Sequence, residues 1–331
     1  MSTSYERERT VAFDAVQAAA DLCESVRDDM SEVLEKEDRT PVTVADFGSQ
    51  ALICRALLEA FPDDPVIAEE DSSALRNPDN ADVCEAVVDQ VRAHHENAGP
   101  EGVYAWIDHG TARSYSDRFW TLDPIDGTKG FVRGDQYAIA LALIENGTPQ
   151  VAALCCPYLP ADLDAEDPAS RGQAFLAGRG EGTVRRPLQE GAEPEPIHTS
   201  DTSDPGAGRF TESFVSSHSS HDLAAEVGER LGITAAPIRI DSQAKYAIVA
   251  SGEAEIYLRL PRPGTDYTER IWDHAAGALA VEAAGGTVTD VEGTPLRFTH
   301  GPLLKSNTGV VATNGLVHDQ VLEALAAAAA E

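Results

Sequence analysis

Helical and extended segments alternate through the second half of the chain, and this order restricts the fold more than any other feature of the sequence. Apolar spacing predicts a helix over 221–231, a strand over 237–240 and a helix over 243–251. A strand over 254–260, a helix over 272–284, strands over 286–290 and 309–313, and a closing helix over 316–330 continue the series. The run 325–330 reads as a frayed helix end. Such an order builds an α/β domain.

The first half is less regular. Val11, Ala15, Ala18, Ala19, Leu22 and Val26 fall at helical spacing over 8–30, and a second helix is expected over 45–60, with 36–43 a loop or short hairpin between them. The apolar run 65–68 reads as a strand ending in Glu69-Glu70-Asp71, followed by a helix over 82–95 and a loop from Asp108 to 117. Segments 137–144 and 151–156 form a hairpin around the turn signal Asn146-Gly147, and 173–177 adds a strand. The stretch 178–210 is rich in Gly, Pro and Glu and has no periodicity, so the chain is expected to divide into domains 1–195 and 196–331.

With 25 basic and 56 acidic residues the formal charge is −31 at pH 7, a field that repels nucleic acid and anionic membranes as general partners. Only four of the basic residues are lysine, and a lysine-poor acidic surface suits a protein kept soluble in concentrated salt, so a halophilic source is expected. Five cysteines without CxxC or Cys/His spacing indicate reduced, buried thiols rather than disulfides or zinc. The first 30 residues carry no signal-peptide pattern and no stretch reaches the roughly 20 apolar residues of a membrane span, which predicts a cytosolic protein. Nothing in the sequence fixes an oligomeric state.

Chemistry concentrates at Asp123-Pro-Ile-Asp-Gly-Thr128. Two aspartates three apart, with Pro and Gly fixing the backbone, can place two carboxylates and a carbonyl around a hard cation, although an ordinary strand-to-turn exit uses the same residue types. Glu69 and Glu70 end a short strand, while Asp46 and Asp273 stand at expected helix starts, where either could be a simple N-cap. The Gly127 and Thr128 amides open a helix and offer an anion site.

Together with Trp272-Asp-His-Ala-Ala-Gly277, this element resembles the lithium-sensitive, magnesium-dependent phosphatase superfamily that includes inositol monophosphatase. Within it, Pro41-Val-Thr-Val-Ala-Asp46, Ser216-Ser-His-Ser-Ser-His221, Asp241-Ser-Gln-Ala-Lys-Tyr246 and Tyr257-Leu-Arg-Leu-Pro261 resemble the 3'(2'),5'-bisphosphate nucleotidases, with 72–117 and 178–210 the weakest parts.

The resemblance implies an α/β (α+β) fold: a layered α/β/α/β/α sandwich of two domains with the active site between them. It implies two or three Mg2+ ions on Glu70, Asp123, the Ile125 carbonyl, Asp126 and Asp273. Thr128, with Asp46 or Glu70 as its carboxylate partner, would orient and deprotonate the attacking water. His218, Ser242, Lys245 and Arg259 would form the nucleotide pocket, the two cations taking a retained 5'-phosphate. The plainer alternatives are a surface lysine and an arginine paired with a neighbouring carboxylate. The implied reaction is hydrolysis of 3'-phosphoadenosine 5'-phosphate to AMP and phosphate, with 3'-phosphoadenylyl sulfate as a second candidate and inhibition by lithium. The rivals are an inositol phosphate phosphatase and a catalytically silent metal or nucleotide sensor.

Overall fold

In the computed structural model, which describes residues 5–31, 40–160, 163, 171–189, 191–214, 221–261 and 267–329, the strands of the first sheet follow chain order. β1 (Val66–Ala68) lies parallel to β2 (Arg118–Asp126). β3 (Ala138–Glu145), β4 (Thr148–Pro160), β5 (Arg171–Gly178), β6 (Gly182–Pro187) and β7 (Glu195–Ile197) then add antiparallel, one after another. Asn146 and Gly147 join β3 to β4 with φ of 50° and 74°, the left-handed pair that a tight hairpin matched to sheet twist requires.

Successive side chains of a strand face opposite ways, and here both faces are buried. Ile139, Leu141, Leu143, Val151, Ala153 and Cys155 pack toward α1 (Glu6–Ser31), α2 (Thr40–Ala60), α3 (Ala81–His94) and α4 (Pro100–His109). After the short α5 (Thr128–Arg133) and the outer helix α6 (His221–Leu231), α7 (Ala244–Ala250) and α8 (Ala275–Ala283) form the middle layer. The opposite strand face, with Ala138, Ala140, Ala142 and Ala152, meets α7 and α8. Small residues on both sides let α8 approach the sheet closely.

Beyond α7 and α8 stands a five-stranded sheet in the order β11 (Thr287–Thr289), β12 (Val310–Thr313), β10 (Ile256–Arg259), β8 (Phe210–Glu212), β9 (Ile238–Arg239). Its outer face, carrying Ile256, Leu258 and Val311, is covered by α6 and α9 (His318–Ala328). The layers therefore run α/β/α/β/α. Among the described residues, no helix is long and apolar enough to cross a membrane. All five cysteines are free and buried.

Several expectations need correction. α2 begins at Thr40, so Thr40 to Thr43 are helical rather than loop and Asp46 lies within the helix, not at its N-cap; residues 36–39 lie outside the described residues. Of the loop expected over 108–117, only Asp108 and His109 differ: they close α4, whose ten residues are framed by Gly99, Pro100 at its first turn and Gly110. The aperiodic stretch 178–210 holds β6 and β7. The closing run packs in part rather than fraying, since Leu325 and Ala328 are buried.

Candidate active site

Carboxylates converge at the end of β1, where β2 runs on past it. The parallel register pairs Val66 with Trp120, Ile67 with Thr121 and Ala68 with Leu122, so Glu69 leaves β1 beside Asp123, which stays paired with Ala140 of β3. Glu69 and Asp123 line one cavity with Asp126 and Asp273. Glu70, the ligand expected from the sequence, does not line it, because consecutive residues leaving a strand point opposite ways. Its backbone is clasped from the other side by Gln50, whose amide donates to the Glu70 carbonyl at 2.7 Å and accepts from the Glu70 N–H at 3.0 Å.

Pro124 has no N–H for the ladder, and the β2–β3 register shifts between Asp123 and Asp126. Ser49 donates to the Pro124 carbonyl at 3.1 Å, tying this irregular segment to α2. Asp46, Ser49 and Gln50 share one helix face at i, i+3 and i+4, all buried. Gly127 then turns the chain into α5 with φ of 90°, and a Cβ there would meet Ser242 at 3.0 Å. Asp273 sits in the turn before α8, which starts at Ala275; the N-cap residue is His274, not Asp273.

Gln243, quoted within Asp241–Tyr246 but given no role from the sequence, holds three of these parts together. Its N–H donates to Asp126 Oδ2 at 2.6 Å, its Nε2 to the Trp272 carbonyl at 2.9 Å, and its Oε1 accepts from the Gly277 N–H at 3.2 Å.

Crowding of like charges shows in the titration of the cluster. Burial, then Glu69, Asp126, Asp273 and Asp46, push Asp123 well above the usual carboxylate range. Asp273 rises in the same way through burial and Asp126. Burial with Glu70 and Asp126 lifts Glu69 to about 7, despite a hydrogen bond shared with Asp123. Asp46, behind the cavity, is raised by burial, Glu70 and Glu69. Asp123 Oδ1 is buried without a hydrogen-bond partner among the described residues. An all-oxygen cluster with raised proton affinity and an orphaned buried oxygen fits a hard divalent cation, which would replace the protons.

Ile125, Gly127, Thr128, Ser242, Lys245 and Arg259 line the same cavity. Thr128 is exposed and shares no hydrogen bond with Asp46. Lys245 is not the surface lysine of the plainer alternative: it is buried, donates to the Ser242 carbonyl at 2.8 Å, and is lowered to about 8 by burial. Ser242 has φ of 71°, a strained value for a residue with a side chain. Arg259 is paired with Glu269, as its plainer alternative had it, and still faces the cavity. His218 lies outside the described residues.

Glu269, Asp273 and His274 bring ligand-type atoms within 4.8 Å of one another. Glu269 is already engaged by Arg259 and His274, and against burial these hold it down at about 2. It reads as the partner of its neighbours, not as a second metal centre.

The profile of the inositol monophosphatase family matches residues 4–331. The 3'(2'),5'-bisphosphate nucleotidase of Schizosaccharomyces pombe is 42% identical over 342 residues, covering 98% of this chain and 96% of the relative. That of Dictyostelium discoideum is 39% identical, covering 96% of each. Among solved structures, the inositol monophosphatase from Anabaena superposes with a TM-score of 0.62 at 23% identity, covering 98% of this chain and 97% of the other. Mycobacterium tuberculosis SuhB gives 0.62 at 21%, covering 97% and 96%.

Proposed function

The chain belongs to the inositol monophosphatase family, and from that premise we propose that it is a 3'(2'),5'-bisphosphate nucleotidase that hydrolyses 3'-phosphoadenosine 5'-phosphate to AMP and phosphate. 3'-Phosphoadenylyl sulfate is a second candidate substrate. One observation carries the reading: the cavity that gathers Glu69, Asp123, Asp126 and Asp273 also holds Lys245 and Arg259. Carboxylates suit cations at a phosphate ester, and two basic groups in so acidic a protein suit a second, retained phosphate.

The family is magnesium-dependent in general. We assign two or three Mg2+ to Glu69, Asp123, Asp126, Asp273 and the Ile125 carbonyl, where they would neutralise charge on the transferred phosphoryl group. The Thr128 hydroxyl, at the cavity surface, orients the attacking water. Asp46, raised above the usual carboxylate range by burial, Glu70 and Glu69, suits proton acceptance from that side of the site. The Gly127 and Thr128 amides face the scissile phosphate. Ser242 and, outside the described residues, His218 are placed at the sugar or base. The division at 195/196 would put the metal ligands other than Asp273 in the first domain and the nucleotide-recognising groups in the second.

Lithium sensitivity, a cytosolic location and a salt-rich, potassium-based cytoplasm belong to the same proposal, the last motivated by the charge of −31. Phosphate release from 3'-phosphoadenosine 5'-phosphate and from inositol 1-phosphate, each with and without Mg2+, tests it. Metal-dependent turnover favouring the nucleotide is expected. A clear preference for the inositol ester would overturn the substrate assignment, and turnover unaffected by chelation would overturn the metal.

A further inference from the structure

Arg259, the last residue of β10, is gripped along one edge of its guanidinium. Nε donates to Glu269 Oε1 and Nη2 to Glu269 Oε2, both at 3.1 Å. Glu269 Oε2 also lies 3.1 Å from His274 Nε2, and His274 Nδ1 lies 2.8 Å from the Tyr246 hydroxyl. Glu269, His274 and Tyr246 are all buried. A buried carboxylate beside the cavity-lining arginine is thus fixed by two further polar groups before it reaches it.

Stability does not account for this chain. A buried ion pair gains little over an apolar pair of the same volume, because desolvation offsets the attraction. Geometry suggests a different use. The fork leaves Nη1 outside the Glu269 contact, on a residue that lines the cavity. Asp273 lines the same cavity as Arg259 and offers that guanidinium a competing carboxylate. With its Nε–Nη2 edge already taken by Glu269, Arg259 is kept from folding onto the carboxylate cluster.

Resting on the proposed nucleotide substrate, we infer that Glu269 is the positioning residue that aims Arg259 at the substrate's second, non-reacting phosphate, with His274 and Tyr246 holding Glu269 in register. Glu269 itself touches neither substrate nor reacting atoms. Its contribution falls on recognition of that phosphate and not on the bond being broken.

Glu269→Gln keeps the size of the side chain but presents an amide N–H to one arm of the guanidinium, breaking the two-point grip. In saturating Mg2+, steady-state kinetics on 3'-phosphoadenosine 5'-phosphate and on adenosine 3'-phosphate, which lacks the second phosphate, read the effect. The variant should raise KM for the bisphosphate about ten-fold, leave its kcat within about two-fold, and move KM for adenosine 3'-phosphate by less than about two-fold. In an Arg259→Ala background the same change should add nothing to KM. Should Glu269→Gln not fold by circular dichroism, Glu269→Asp, which keeps the charge but shortens the reach, is read in the same way. Equal losses on both substrates, a fall in kcat alone, or no change would overturn the inference. A wild-type enzyme that does not prefer the bisphosphate over adenosine 3'-phosphate would instead overturn the substrate reading on which it rests.

Discussion

Glu69 and Glu70 are adjacent and chemically identical, yet only one faces the other carboxylates. The strand ending at Ala68 was readable from its apolar run; which glutamate points inward depends on the register with β2, a contact across more than fifty residues that sequence pattern does not carry. Glu69→Gln should lower kcat by at least ~100-fold, while Glu70→Gln, whose backbone clasp by Gln50 is untouched, should stay within ~10-fold. Phosphate-release rates for the pair check this, and the opposite ranking would return the ligand role to Glu70. Glu69 also sets a pH dependence. Raised from 4.5 to about 7 in the metal-free protein, it keeps a proton when folded that the unfolded chain has released. The stability this gives is complete below about pH 4.5 and is lost as pH rises through about 7, with Asp46, Asp123 and Asp273 acting in the same direction. Thermal midpoints measured in chelator should fall across that window, and added Mg2+ should flatten the fall.

At the scale of elements, the helices and strands of the second half other than the three-residue β8 were legible because each is amphipathic or uniformly apolar and bounded by turn residues. α4 was not, being short and divided by Gly102. The small residues of α8 suit close packing on a sheet, and it does lie against the first sheet; what they do not reveal is its second neighbour, Tyr246, whose ring a Cβ on Gly277 would strike. Tyr246 cannot yield freely, since its hydroxyl is bound to His274 and its ring packs edge-on against Tyr257 at 4.8 Å. Gly277→Ala should therefore destabilise the protein by about 2 kcal/mol in chemical denaturation. By displacing Tyr246 it should also raise KM for the bisphosphate more than for adenosine 3'-phosphate. Wild-type stability in this variant would mean that α8 can slide, and the packing account would fail. Gln243 shows the limit of a motif: Asp241–Tyr246 contains it, but nothing in periodicity or spacing reveals that its buried amide joins Asp126, Trp272 and Gly277.

For the whole molecule, the five-layer order follows from two sheets that each bury both faces, which requires helices outside and between them. A net charge of −31 on this frame is an unfavourable self-interaction that salt screens. Thermal midpoints should rise as potassium chloride goes from dilute to molar concentrations, and a flat or falling series would contradict the salt-adapted reading. The central claim is that Glu69, Asp123, Asp126 and Asp273 close around shared divalent ions. Calorimetric titration of Mg2+ into metal-free protein near pH 6.5, repeated in buffers of different ionisation enthalpy, tests it most directly. The account predicts saturable binding that releases protons, because the ion displaces those held by the crowded carboxylates, and loss of that binding in Asp126→Ala with the fold retained. Binding without proton release, or binding unchanged by the substitution, would contradict it.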